Sequence, residues 1–447
     1  MFIYNATIVN EGLSYLGWVR TDGALIAGTG HGHLTVEQAR EKAGSEEQLI
    51  DAEGMFLLPG VIDEHVHFRD PGMPETADLE SESRAAVAGG VTSYMDMPNT
   101  RPATTSIQAW NDKMQHAGDV SAANYAFYMG ATADNMDQIA QADPSYVPCL
   151  KVFMGQSTGN MKVDADVLDR LFEQSPLMIA VHAEDTDMIA QTLEEYARRY
   201  DGQIPYRMHA IIRSREACLK ATQTAIGLSA RHHHRLHILH VTTAEEVRLL
   251  QALRPSDAGL VTAETCPHYL TFCDADYDRL EGRIKCNPSV KTASDREALL
   301  DAVRSGVIDT VGSDHAPHPL SAKQRAYADC PSGMPSVQFV LPVMLQHVAA
   351  GRLTWERLVS LMSHRPAEIF HVDRRGFIRP GYYADMVLVR ERAWTITDED
   401  VVSRCGWTPY VGMRLTHQVD RTIINGRTVY HAGRFTPYTG MPLRFNP

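Results

Sequence analysis

The chain has 447 residues, of which 44% are hydrophobic and 22% charged, and this composition predicts a folded globular protein larger than one ordinary compact domain. Its formal net charge of -13 argues against nucleic acid or an anionic membrane surface as its main partner. The seven cysteines are scattered without a CxxC pair, which predicts neither a disulfide framework nor a cysteine-based zinc site.

Residues 1–52 have the pattern of short strands separated by turns, beginning with MFIYNATIVN and LGWVRTDG. The first residues lack the basic and apolar segments of a signal peptide, so we expect a cytoplasmic protein. Residues 375–447 return to the same pattern, and Asn425-Gly426 between RTII and RTVY predicts a β-hairpin. We therefore expect the two ends of the chain to form one small β-sandwich domain.

Residues 53–374 alternate short apolar runs with helical patterns such as DLESESRAAVAGG and TAEEVRLLQAL. The apolar runs are, in chain order, GVIDEHVH, VTSYMDM, NYAFYM, CLKVFM, LMIAVHA, LHILHV, LVTAET and VIDTVGSD. Eight strands that alternate with helices are what a closed barrel requires. The sequence therefore predicts an α/β protein, a (β/α)8 TIM barrel with the β-sandwich domain attached.

Polar side chains lie in or directly after several of these runs, and barrels of this kind build their active sites at the C-terminal ends of the strands. The side chains are His65 and His67 on the first run, Lys151 on the fourth, His182 on the fifth, His240 on the sixth and Asp314 on the eighth. A single histidine after a strand is more often structural than a ligand, but six groups at one barrel mouth predict a metal site. Four histidines and one aspartate exceed what one open zinc site uses, which favours two ions.

Lys151 needs a separate explanation, because an ammonium group cannot ligate a metal. A lysine that burial deprotonates can take up CO₂ and become a carbamate, which offers one oxygen to each of two metals. We therefore hypothesise that carboxylated Lys151 bridges two Zn²⁺ ions.

Arg69 follows His65 and His67 at the same two-residue spacing. Alternate residues of a strand share one face, so the spacing predicts that all three side chains point into one site. Glu264 and His268, at the seventh run, have either a place near the site or a structural role.

This constellation resembles the amidohydrolase superfamily, and within it the motifs resemble the dihydroorotase family. The motifs are DEHVHFRDPG, MDMPNTRP, CNPSVKTASDREALL and GSDHAPH. The resemblance implies an enzyme that reversibly cyclises N-carbamoyl-L-aspartate to L-dihydroorotate in pyrimidine biosynthesis. It also implies a small-molecule substrate without nucleic acid or membrane partners, and homodimers are common among such proteins.

The resemblance also implies roles for the metal residues. His65, His67 and Asp314 would hold one zinc ion, and His182 and His240 the other. Carboxylated Lys151 and a hydroxide would bridge the two ions. Asp314 would be the general acid–base that moves the proton of this hydroxide.

The resemblance implies a second set of residues, which bind the substrate. Arg69 and Asn99 would bind the substrate carboxylate, with His318 assisting. Asn287 and the backbone near Ser332 and Gly333 would hold the ring. Ser157 and Thr158 would belong to a lid loop.

Two alternatives stay open from the sequence. Hydantoinases, dihydropyrimidinases and allantoinases share the metal residues, so only Arg69 and Asn99 discriminate, because the substrates of those enzymes lack the ring carboxylate. A catalytically silent homologue that serves as a scaffold for a transcarbamoylase is the other alternative, and the presence of all six metal residues argues against it.

Overall fold

The computed structural model describes residues 1–44, 48–155, 161–253 and 259–446. The predicted lid residues Ser157 and Thr158 lie outside these ranges. Among the helices in these ranges, none is both long and apolar enough to cross a membrane.

The chain begins with strands that are followed by one helix and two shorter strands. These elements are β1 (Phe2–Asn10), β2 (Leu13–Asp22), β3 (Leu25–His31), α1 (Val36–Ala43), β4 (Leu49–Asp51) and β5 (Met55–Pro59). Thr35 caps α1, because its hydroxyl accepts from the backbone N–H of Gln38 while the Gln38 side chain accepts from the N–H of Thr35.

The middle of the chain forms the predicted parallel barrel. Its strands are β6 (Val61–Val66), β7 (Val91–Asp96), β8 (Asn124–Phe127), β9 (Met129–Gly130), β10 (Leu150–Phe153), β11 (Ile179–His182), β12 (Leu236–Ile238), β13 (Val261–Thr265) and β14 (Thr310–Val311). Only Tyr128 separates β8 from β9, so together they make one barrel strand and all eight predicted apolar runs are confirmed as strands. The last strand returns to the first, since the N–H of His67 donates to the His315 carbonyl at 2.7 Å.

Helices follow most of these strands and cover the barrel. They are α2 (Leu79–Ala88), α3 (Ile107–Val120), α4 (Met136–Ile139), α5 (Ala165–Gln174), α6 (Thr186–Arg199), α7 (His209–Ile212), α8 (Arg215–His232), α9 (Ala244–Leu253), α10 (Pro267–Thr271), α11 (Tyr277–Leu280), α12 (Ala293–Ser305), α13 (Leu320–Lys323), α14 (Val340–Ala349), α15 (Trp355–Val359) and α16 (Arg365–Ile369). In α5 the buried residues Val167, Leu168, Leu171 and Phe172 recur at helical spacing and form the face that packs on the barrel.

The C-terminal strands join β1–β5 in one mixed sheet. They are β15 (Met386–Thr395), β16 (Arg414–Ile424), β17 (Arg427–His431) and β18 (Arg434–Phe435). The order is β18-β17-β16-β15-β5-β1-β2-β3, with β4 paired to β1. The predicted hairpin is confirmed, since Asn425 and Gly426 connect β16 to β17, with Asn425 at φ +49°. β5 lies inside the range predicted for the barrel, yet it pairs with β1 and β15 of this sheet.

A buried polar network joins this sheet to the barrel. The Arg375 guanidinium donates to Asp385 and, at 2.8 Å, to the side-chain oxygen of Asn425. Asp385 also accepts from the backbone N–H of Asn425 at 2.8 Å and from the side chain of Asn124, on β8, at 3.2 Å. Arg375 and Asp385 are each 3% exposed, so removing either side chain would leave the charge of the other buried without compensation.

We expect Asp385→Ala to lower the free energy of unfolding by about 3–5 kcal/mol, because it leaves the buried Arg375 charge without its carboxylate. Urea unfolding followed by circular dichroism measures this change. Glu194→Ala is the control, since Glu194 pairs with Arg198 on an exposed helix face and its loss should cost less than about 0.5 kcal/mol. Equal effects of the two substitutions would contradict the expectation.

Candidate active site

A pocket with about 490 Å³ of empty volume opens at the C-terminal ends of the barrel strands. It brings together every predicted metal residue and most of the predicted substrate residues. Its lining residues are His65, His67, Arg69, Asn99, Lys151, Phe153, His182, His240, Asn287, Asp314, Ala316, Ser332 and Gly333. Most of these side chains are polar or charged, with Phe153 and Ala316 as the apolar part of the wall, which suits a small polar substrate.

His65, His67 and Asp314 form the first group of candidate metal ligands. One Asp314 oxygen lies 3.3 Å from His65 Nε2 and 3.2 Å from His67 Nε2. The Nδ1 atom of each ring already has a partner, Glu264 for His65 and Asn99 for His67, each at 2.7 Å. An imidazole that donates from one nitrogen presents the lone pair of the other, so both Nε2 atoms are free to bind one metal ion.

His182 and His240 form the second group. His182 Nδ1 and His240 Nε2 lie 2.9 Å apart. His182 Nε2 lies 2.8 Å from a Glu184 oxygen, and Arg213 in turn binds Glu184. Burial lowers the pKa of His182 and holds that of His240 well below its usual range, so both rings are neutral and able to ligate a metal.

Lys151 lies on β10 within the same pocket, and its side chain is wholly inaccessible to solvent. Its Nζ atom has no hydrogen-bond partner among the described residues. Burial lowers the pKa of Lys151 to about 8, so a fraction of this lysine is a neutral amine near neutral pH. Lys151 is thus a buried amine without a partner that lies beside both groups of candidate metal ligands. A lysine that served only in a structural ion pair would have a carboxylate partner.

Three site residues occupy the left-handed region of backbone conformation just after their strands. The φ angles are +64° for Arg69, +43° for His240 and +44° for Asp314. Such angles are strained for non-glycine residues and are typical of functional sites. The prediction that strand alternation directs Arg69 is therefore wrong, because β6 ends at Val66 and a turn brings Arg69 to the pocket.

Arg69 is a buried cation that forms no ion pair within the described residues, although the carboxylates of Asp314 and Asp96 lie near enough to favour its charge. It is 4% exposed, and its Nε and Nη1 atoms have no hydrogen-bond partner in the described part of the chain. Burial lowers its pKa only to about 10, so the guanidinium is charged at neutral pH. Asp96 fixes the turn before it, since its carboxylate accepts from the N–H of Phe68 at 2.7 Å and pairs with Lys113.

Hydrogen bonds from residues outside the pocket hold Ser332 and Gly333, the segment predicted to hold the substrate ring. His318 Nε2 donates to the Ser332 carbonyl at 3.0 Å, and His318 does not itself line the pocket. The N–H of Gly333 donates to the Lys285 carbonyl at 2.9 Å, and its carbonyl accepts from Lys323 Nζ at 2.7 Å. Both backbone groups of Gly333 are thus already engaged, so this segment shapes the pocket wall.

Two residues close to the site, Glu184 and Arg213, were not predicted from the sequence. Glu184 follows the candidate ligand His182 by two residues, and a carboxylate so close to a predicted metal-binding histidine is a signal that the sequence contains. Arg213 had no such signal, because only the fold brings it to Glu184. Of the two alternatives for Glu264, a place near the site is the one observed, because Glu264 contacts His65. Neither ring nitrogen of His268 has a partner among the described residues.

Known proteins resemble this chain in sequence and in structure. Residues 56–429 match the Amidohydrolase family. A dihydroorotase from Halobacterium salinarum is 34% identical over 404 residues, covering 89% of this chain and 92% of that protein. An allantoinase from Rubrobacter xylanophilus is 34% identical over 407 residues, covering 88% and 87%. The structure of L-hydantoinase (dihydropyrimidinase) from Arthrobacter aurescens matches with a TM-score of 0.92 at 26% identity, covering 99% of both chains.

We expect Glu184→Gln to weaken divalent metal binding about 10- to 100-fold, because the amide no longer anchors the His182 ring as the carboxylate does. Competition with a chromophoric zinc chelator measures the affinity. Asp185→Asn is the matched control, since this neighbouring carboxylate caps α6 and pairs with Lys220 instead of a ligand. The same affinity in both variants would show that Glu184 does not support the metal site.

Proposed function

The chain belongs to the amidohydrolase family, and we propose that it is a dihydroorotase. The reaction is the reversible cyclisation of N-carbamoyl-L-aspartate to L-dihydroorotate, a step of pyrimidine biosynthesis. In the other direction the enzyme hydrolyses one amide bond of the ring. The single observation that carries the proposal is the buried, unpaired guanidinium of Arg69 beside the metal ligands.

The chemistry of the substrate explains why Arg69 decides between the relatives. L-Dihydroorotate carries a ring carboxylate, whereas allantoin, hydantoin and dihydrouracil have no carboxylate. A planar guanidinium binds a carboxylate through two parallel hydrogen bonds. A neutral ureide has no carboxylate to accept this pair of bonds. Asn99 supports the same assignment, because His67 engages its amide oxygen and leaves its NH₂ group as a donor in the pocket.

The donor set fits a pair of zinc ions. His65, His67 and Asp314 would hold one, His182 and His240 the other, and carboxylated Lys151 both. The carbamate forms when the neutral amine of Lys151 adds CO₂, which creates an N–C bond and releases one proton. The orphaned Lys151 Nζ atom and the free His65 Nε2 atom support this assignment. When bound, the ions would polarise the ring carbonyl and make water acidic enough to attack it.

The side chains of the pocket perform the remaining steps. Arg69 and Asn99 orient the ring through its carboxylate, while Asn287 and the Ser332–Gly333 segment limit the space around it. Burial alone would raise the pKa of Asp314, but His65 and His67 beside it hold that pKa well below its usual range. Asp314 is thus a carboxylate that can accept the proton of the attacking water and pass it to the ring nitrogen as the C–N bond breaks. Cyclisation runs these steps in reverse.

We expect Arg69→Met to lower kcat/KM for L-dihydroorotate about 100- to 1,000-fold, since it removes two charge-assisted hydrogen bonds. Activity on dihydrouracil should change far less, because this ring has no carboxylate. Arg101→Met is the control, because Arg101 is an exposed arginine two residues after Asn99. Equal losses on both substrates, or a wild-type preference for dihydrouracil, hydantoin or allantoin, would contradict the proposal and favour the activity of the other relatives.

We expect Lys151→Ala to lose zinc and turnover together, because the variant lacks the amine whose carbamate would bind the ions. Added short carboxylic acids should restore part of the activity by supplying two oxygens at the same place. Zinc analysis and the dihydroorotate assay on one sample test this, with Lys162→Ala as the exposed-lysine control. Full zinc content with full turnover in Lys151→Ala would refute the role of Lys151.

A further inference from the structure

Two loop segments from different parts of the chain form part of the pocket wall. One contains Asn287, and the other contains Ser332 and Gly333. Neither segment belongs to a barrel strand, since β13 ends at Thr265 and β14 at Val311. Strand pairing therefore does not fix the distance between the two segments, and other contacts must set it.

The side chain of Lys323, the last residue of α13, joins these two segments and is buried. Its Nζ atom donates to three backbone carbonyls, those of Lys285 at 3.0 Å, Pro331 at 2.7 Å and Gly333 at 2.7 Å. The first acceptor lies two residues before Asn287, and the other two flank Ser332. One buried side chain thus ties the segment before Asn287 to both sides of Ser332.

The three contacts define the protonation state in which Lys323 can hold the wall. Three acceptors require three N–H donors, which a lysine side chain has only as an ammonium group. Burial lowers the pKa of Lys323 to about 7, whereas hydrogen bonds to carbonyls favour the charged form. Lys323 forms no ion pair within the described residues, so its polar contacts serve the two wall segments.

A second buried lysine holds the loop that leads to Ser332. Lys285 Nζ donates to the carbonyls of Tyr327 at 2.7 Å and Cys330 at 2.6 Å. The N–H of Gly333 also donates to the Lys285 carbonyl at 2.9 Å. These contacts do not involve the Lys323 side chain, so they would keep the loop in place without it. Loss of the Lys323 ammonium group should therefore loosen residues 331–333 and leave the rest of the pocket folded.

The close packing of Gly333 makes the pocket sensitive to such loosening. Gly333 has φ +131°, and a Cβ atom at this position would lie 2.6 Å from the Ala316 carbonyl oxygen. Ala316 also lines the pocket, so Gly333 packs directly against another part of its wall. A small displacement of Gly333 would therefore change the space that is available to a substrate ring.

We propose that Lys323 is a positioning residue for substrate binding, which holds the Asn287 segment and the Ser332–Gly333 segment at the separation that fits the substrate ring. The inference rests on the proposed function only for the identity of that ring. None of the hydrogen-bond partners of Lys323 is a candidate metal ligand. The metal centre should therefore be independent of Lys323, whereas binding of the ring should depend on it.

We expect Lys323→Met to raise KM about 10-fold or more while kcat changes less than about 3-fold, because a loosened wall weakens binding of the ground state and the transition state alike. Steady-state assays with L-dihydroorotate measure both constants, and metal analysis of the same samples should find the wild-type zinc content. Lys291→Met is the matched control, since Lys291 is also buried and its Nζ atom binds the carbonyl and hydroxyl of Ser289, which does not line the pocket. It should keep the wild-type KM.

An unchanged KM in Lys323→Met, or an equal rise of KM in Lys291→Met, would overturn the proposal. A fall in kcat together with loss of zinc in Lys323→Met would also overturn it, since Lys323 would then support the metal centre. If Lys323→Met fails to fold, Lys323→Gln, which keeps two N–H donors, decides the case. A raised KM in Lys323→Gln supports the proposal, and the wild-type KM overturns it. If wild type prefers another cyclic amide to L-dihydroorotate, the dihydroorotase assignment fails, and the same comparison with that amide still tests Lys323.

Discussion

Three of the four candidate ligand histidines in the buried mouth of the barrel have one ring nitrogen held by a carboxylate or amide oxygen, and this constraint organises the site. Glu264 orients His65, Asn99 orients His67, and Glu184 orients His182, all at 2.7–2.8 Å. Glu264 and Asn99 come from other parts of the barrel, so the orientations of His65 and His67 depend on its closure, whereas Glu184 follows His182 by only two residues. The orienting groups are themselves held, as Arg213 holds Glu184. The residues that hydrogen-bond to the histidines therefore set the ring orientations that a metal ion would meet.

The backbone makes a second contribution at the ends of the strands. Strand alternation directs Lys151 and His182 into the barrel, because both lie within strands β10 and β11. Arg69, His240 and Asp314 lie just beyond their strands and reach the same pocket through left-handed turns. The strain of these turns is tolerated because neighbouring groups fix them, as Asp96 does by binding the N–H of Phe68.

These two contributions explain how far the sequence could predict the molecule. The eight apolar runs, the polar residues that end them and the Asn425-Gly426 hairpin predicted the barrel and most of its pocket, because parallel strands bring their C-terminal ends to one rim. Met55–Pro59 lies inside the range predicted for the barrel, yet it forms β5 of the terminal sheet, and the first barrel strand β6 begins only after Gly60. Contacts such as Lys323 with Gly333 depend on loop conformation, which no periodic pattern encodes.

Arg69 shows how specificity and stability oppose each other in this pocket. The similar proteins include a dihydroorotase, an allantoinase and a hydantoinase, so similarity over most of the chain does not by itself select a substrate. A buried cation without an ion-pair partner costs folding free energy, and Asp314 and Asp96 offset only part of that cost, since burial still lowers the pKa of Arg69 to about 10. A substrate carboxylate would supply the missing charge. The same desolvation that destabilises the empty pocket therefore strengthens the bound ion pair, and it would make an anionic ring the preferred partner over a neutral one.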